Sequence, residues 1–137
     1  MATRARIGIQ LDDNSVLSVY HHWDGYPQWL GRILKTHYNT REQVAELIDG
    51  GDMSSCWSDS IWGEGLSEGE YAPEYYSARG EDCPPRLDTI FEYLDKNNNE
   101  EYAYVWTVNN EWKAFDMNAF NDAKPESVEI PEGALVV

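Results

Sequence analysis

The run from Glu101 to Val108, Glu-Tyr-Ala-Tyr-Val-Trp-Thr-Val, constrains the fold more tightly than any other stretch of the chain. Side chains alternate across a strand, so Tyr102, Tyr104 and Trp106 fall on one face and Ala103 and Val105 on the other. Both faces are apolar or aromatic, which predicts a strand in the middle of a sheet. Asn109-Asn110 then turns the chain into Trp112-Lys113-Ala114-Phe115, closing a hairpin. A second hairpin is predicted near the N-terminus. There Arg6 to Leu11 alternates with period two, Asp12-Asp13-Asn14-Ser15 forms a turn cluster, and Val16 to Tyr20 resumes strand composition.

Helices are predicted between the two hairpins. Pro27 sits where a first helical turn tolerates it, because its missing N–H would be unpaired there in any case. The stripe Trp29, Leu30, Ile33, Leu34 and Tyr38 follows at spacings of three and four. Thr40-Arg41-Glu42-Gln43 has the form of a capping box opening a second helix, with Val44, Leu47 and Ile48 inward and Gly50-Gly51 ending it. Asp52 to Gly69 reads as a long ordered loop, and Glu70 to Arg79 as an edge strand or irregular stretch interrupted by Pro73. After Pro84-Pro85 a third helix is expected with Leu87, Ile90, Phe91 and Leu94 inward. The fold class is therefore α+β: a mainly antiparallel sheet of four to five strands, with two hairpins, packed against two to three short helices. Residues 1–120 form one domain on this reading, and 121–137 an extended acidic tail whose last residues, Ala134 to Val137, are able to dock.

The net charge of −15 is unevenly placed. From Met1 to Ile48 five basic and five acidic residues balance, whereas twenty of the 25 acidic residues and only five of the ten basic ones lie from Asp49 onward. Such a field repels nucleic acid and anionic membranes, since phosphate contacts need basic residues that release counterions. No direct nucleic-acid binding is expected. The chain's apolar runs are far shorter than the ~20 residues needed to span a bilayer, and the N-terminus lacks the apolar core of a secretory signal. A soluble cytoplasmic protein without a membrane partner is predicted, with Cys56 and Cys83 as thiols.

The densest functional composition is Tyr20-His21-His22-Trp23-Asp24-Gly25-Tyr26-Pro27, on the turn between a strand and a helix. If the strand persists, His21 and His22 point to opposite faces, while Asp24 lies on the side of His22 and can fix its tautomer. Free N–H groups of the helix beginning at Pro27 add an anion-attracting element. The candidate ligand-binding residues are His22, Trp23, Asp24, Tyr26 and Arg79, the last as a cation able to hold an anion bidentately. Against recognition stands a purely architectural reading, in which Trp23 and Tyr26 anchor the turn, Gly25 supplies an unusual backbone angle and Asp24 caps the helix. His21 or His22 with His37 and Asp24 lacks the ligand pairs of zinc motifs, and neither cysteine has the basic surroundings that favour thiolate, so no metal, cofactor or catalytic residue is expected. The aromatic ladder Tyr102, Tyr104, Trp106, Val108 lacks the basic groove of a single-strand binder and is read as core.

Several pieces of the chain form a pattern: Arg6 to Ile9, His22 to Pro27 with Leu30-Gly31, Gly51-Asp52-Met53-Ser54-Ser55, Arg79-Gly80-Glu81, and Glu101-Tyr102-Ala103-Tyr104. The pattern resembles a group of small proteins from tailed phages and prophages, and it leaves the acidic C-terminal stretch unmatched. The resemblance implies a viral accessory protein of the host-takeover or counter-defence kind acting in the host cytoplasm. Its partner would be a host protein or a small anionic, nucleotide-like ligand held non-enzymatically at the His21–Pro27 turn. Two other readings are an acidic nucleic-acid mimic that blocks a basic groove on a host DNA- or RNA-binding protein, and a hydrolase using His22 and Asp24.

Overall fold

The computed structural model describes residues 3–12, 14–22, 25–55, 74–81, 83–94, 100–117 and 126–130. The N-terminal hairpin forms as expected: β1 (Ala5–Gln10) pairs antiparallel with β2 (Ser15–His21), and the Asp12 carboxylate accepts from the Asn14 and Ser15 amides in the turn. A π-helical turn (Pro27–Gly31) then runs into α1 (Arg32–His37), and α2 (Arg41–Asp49) follows. The capping box at α2 is present in full, with Thr40 accepting from the Gln43 amide and Gln43 accepting from the Thr40 amide. Gly51 beyond the helix end has φ +86°, and a Cβ there would collide with the Cys83 carbonyl.

The remaining strands are β3 (Met53–Ser55), β4 (Glu74–Tyr75), β5 (Arg86–Thr89), β6 (Tyr102–Trp106), β7 (Trp112–Asp116) and β8 (Glu126–Val128), with a 3₁₀ turn (Tyr76–Arg79) after β4 and a single turn of helix, α3 (Ile90–Tyr93), after β5. They make one α+β sheet in the order β4-β3-β2-β1-β6-β7-β8, with β5 also pairing along β2. As its sequence demands, β6 is central, flanked by β1 in parallel and β7 antiparallel. The sheet has more strands than expected because β3, β4, β5 and β8 are too short to carry a periodic signal. The parallel β1–β6 pairing also escapes sequence reading, since its partners lie nearly 100 residues apart. Within the stretch expected to be an extended tail, residues 126–128 pair with β7.

Each face of the sheet is covered. On one face Ile7, Val19, Tyr104 and Trp106 meet Leu30, Ile33 and Leu34 around α1 and Val44, Leu47 and Ile48 of α2. On the other, Val16, Ala103, Val105 and Met117 surround Tyr93 of α3. Gly8 makes room for that ring, since a Cβ would stand 2.6 Å from Val16 and 3.0 Å from Tyr93. The third helix differs from expectation. Leu87 lies in β5 at 63% exposure and Phe91 is 83% exposed, while Tyr93 is buried and donates its hydroxyl to the Tyr104 carbonyl at 2.7 Å. Pairing of Arg86–Thr89 with β2 delays the helix until the Thr89–Glu92 capping box, which turns Tyr93 inward in place of Leu87 and Phe91. Accordingly, Tyr93→Phe should lower unfolding free energy by about 1 kcal/mol through the lost buried hydrogen bond. Phe91→Ala should stay within ~0.5 kcal/mol of wild type. Urea denaturation of the two variants checks both.

Candidate functional site

The turn after β2 is built around Gly25. Its N–H donates to the Thr3 carbonyl at 2.8 Å, and its carbonyl accepts from the fully buried Tyr104 hydroxyl at 2.7 Å. A Cβ at Gly25 would lie 2.7 Å from both Ala5 Cβ and the Thr3 oxygen, so only glycine fits between the turn and β1. Tyr26 is extended (φ −75°, ψ 156°), its carbonyl accepts from the Trp29 and Leu30 amides, and Pro27 opens the π-helical turn as its position predicts. The corner is thus tied to β1 and β6, and this part of the motif is architectural.

The two histidines separate as the strand alternation predicts. His21 ends β2, pairs in register with Ala5 and Met53, and is completely buried. Burial, with a smaller contribution from His22, pushes its pKa down to about 3, so it stays neutral. His22 is half-buried. Its Nδ1 lies 2.6 Å from the Tyr20 hydroxyl, with the rings 5.8 Å apart and tilted by 53°. When the phenol donates, Nδ1 is bare and the ring proton sits on Nε2. Tyr20 itself is pushed up to about 12 by burial and the nearby Tyr76, and remains a phenol at neutral pH.

Asp52 holds this rim together. Its Oδ1 accepts from the Tyr20 amide at 2.8 Å, its N–H donates to the Cys83 carbonyl at 2.9 Å, and its carbonyl accepts from the Tyr76 amide at 3.1 Å. The 3₁₀ turn ending at Arg79 is thereby fastened to the end of β2. Arg4, also near Tyr20, is engaged by Glu101, which accepts from its backbone amide at 2.6 Å and its guanidinium at 3.3 Å. Beneath them the buried Arg6 donates to Ser18 and pairs with Glu100 at 3.5 Å.

Of the predicted site residues, His22 and Tyr26 are placed as partly exposed side chains on this corner. Trp23 and Asp24 lie outside the described residues, as does the Arg79 side chain. Tyr20, Asp52, Tyr76 and Tyr104 were missed as site components. Tyr20 stands two residues before His22 on the same strand face and could have been found by alternation; Tyr104 and Asp52 reach the site across long sequence separations that leave no local signal. Among the described residues no group of three or more His, Cys, Asp and Glu side chains is arranged to hold a metal, and no helix is long and apolar enough to cross a membrane.

Fold and site together define a mixed α+β sheet protein with an aromatic-histidine rim on a locked strand-to-helix corner. No family model, no curated protein and no solved structure matches the chain.

The burial of His21 has a pH consequence. Its folded pKa, near 3, lies below its ordinary value of 6.5, so between these limits the unfolded chain binds the extra proton. The stability this neutral site preserves is fully present above pH 6.5 and is lost as pH falls toward 3. His21→Gln should therefore show a flatter fall in unfolding free energy than wild type between pH 7.5 and 5, measured by urea denaturation across that range.

Proposed function

We propose that the protein is a non-enzymatic, phage-type accessory binding protein that recognises a host protein or a nucleotide-like anionic ligand at the rim of the His21–Pro27 turn. The observation that carries this reading is the Tyr20–His22 pair: a half-exposed phenol and imidazole hydrogen-bonded at 2.6 Å beside a corner fixed at Gly25. Donors and acceptors already held in one geometry lose little conformational freedom when a partner arrives, and loops carried on a rigid scaffold are where recognition concentrates. The resemblance to tailed-phage proteins supports the accessory role. It rests on a pattern of segments that includes His22 to Pro27.

Binding is favoured over hydrolysis because the group on His22 Nδ1 is a phenol whose pKa is raised to about 12, which makes it a poor nucleophile. The segregated −15 charge favours a second reading, in which the acidic part of the chain mimics nucleic acid on a basic groove. That mode of binding weakens steeply with salt.

Affinity capture from host lysate followed by titration separates these readings. Recognition at the rim predicts that His22→Ala weakens the captured complex about tenfold or more, the scale of losing one good hydrogen bond at an interface, with modest salt dependence. An unchanged affinity in a folded His22→Ala variant contradicts recognition at the rim, and a steep salt dependence alongside it would support mimicry.

A further inference from the structure

Strand β5 presents a self-complementary edge. In the N-terminal hairpin Leu11 donates to the Ser15 carbonyl at 2.9 Å, and from the other side of β2 Ile90 donates to the Asn14 carbonyl at 2.7 Å. Backbone groups of a strand point alternately to its two neighbours, so Ser15 and Leu17 bond to β1 while Asn14, Val16 and Ser18 bond toward β5. The residues of β5 opposite Ser18 and Val16 are Arg86 and Asp88. The N–H and C=O groups of Leu87 and Thr89 therefore point away from β2. The Thr89 N–H donates to the Glu92 carboxylate at 2.9 Å, and Pro85, just before the strand, has none. Leu87 is left with both a donor and an acceptor directed outward, and neither has a partner among the described residues.

The side chains around it are patterned to match. Leu87 stands beside Leu17 on the helical face and is 63% exposed. Arg86 and Asp88 lie on the opposite face, the side of Val16, where Arg86 Nε donates to Asp88 Oδ2 at 2.6 Å. That contact leaves the terminal guanidinium nitrogens and Oδ1 to reach across the edge. An apolar residue with a cation before it and an anion after it is its own complement when the strand runs in reverse. Placed antiparallel against itself, Arg86-Leu87-Asp88 sets each arginine opposite an aspartate.

We propose that β5 pairs antiparallel with β5 of a second copy of this chain, about a two-fold axis at Leu87, giving a homodimer whose sheet runs through both chains. Each Leu87 N–H donates to the Leu87 carbonyl of the other copy. The two Leu87 side chains meet on the helical face next to Leu17, and Arg86 of each copy faces Asp88 of the other. Sliding the strands by two residues either way would set Arg86 opposite Arg86 or Asp88 opposite Asp88, so charge selects one register. Pro85 and the Thr89 cap end the pairing on both sides, which limits it to a closed pair instead of extended edge association. The proposal does not depend on recognition at the Tyr20–His22 rim, and either can fail alone.

Two readouts on the wild-type protein need no substitution. Sedimentation velocity should show the average mass rising from 15.7 kDa toward twice that value between about 10 µM and about 1 mM, the range of a small interface. Over the same range, hydrogen exchange at the Leu87 amide should slow by about tenfold. Arg86→Asp and Asp88→Arg should each weaken association about tenfold or more, the scale of two like-charge contacts, and the double reversal should restore it to within about threefold. The proposal is overturned if the mass stays at the monomer value throughout that range, if a dimer forms without slowing exchange at Leu87, if either single reversal leaves association unchanged, or if the double reversal, folded by circular dichroism, stays as weak as the single ones.

Discussion

Tyr104 carries two hydrogen bonds on which the rest of the molecule depends. Its side-chain hydroxyl donates to the Gly25 carbonyl, and its backbone carbonyl accepts from the Tyr93 hydroxyl. The first fixes the corner where the chain leaves β2 and turns toward α1. The second fixes α3 on the opposite side of the sheet. A phenol buried this deeply costs free energy unless its hydroxyl is satisfied, and burial raises the pKa of Tyr104 well above its ordinary value, keeping the proton the bond needs. One residue of the central strand therefore holds both covering layers. Gly25 completes the arrangement, since its N–H reaches Thr3 only because no Cβ stands in the way.

From that corner follows a surface with functional potential. It is the rim at the end of β2, where Asp52 gathers Tyr20 and Tyr76 beside His22. Arg4 and Arg6 near the rim are matched by Glu101 and Glu100, so recognition there would be governed by shape and hydrogen bonding more than by the net charge of −15.

Elements with strong local signals were legible in the sequence. The alternation of Arg6 to Leu11, the Thr40 capping box and the doubly apolar run at Tyr102–Trp106 each specify one structure, and each forms. Legibility failed where pairing overrode periodicity. Leu87, Ile90, Phe91 and Leu94 have helical spacing, and Ile90 and Leu94 do pack inward, yet β2 recruits Arg86–Thr89 as a strand and Tyr93 takes the inward place of Leu87 and Phe91. Within the His21–Pro27 motif, alternation correctly separated His21 from His22, but it could not show that His21 is fully buried or that Gly25 answers to Tyr104, 79 residues away. Among the described residues of the motif, Gly25 forms the fixed corner and His22 and Tyr26 are partly exposed.

Amide hydrogen exchange at Gly25 tests this account most directly. A corner locked through Thr3 and Tyr104 predicts that the Gly25 N–H exchanges as slowly as the amides of β1 and β6, opening only with the sheet, and that Tyr104→Phe speeds it selectively. Exchange at the rate of an unprotected loop amide in the wild-type protein would contradict the central claim.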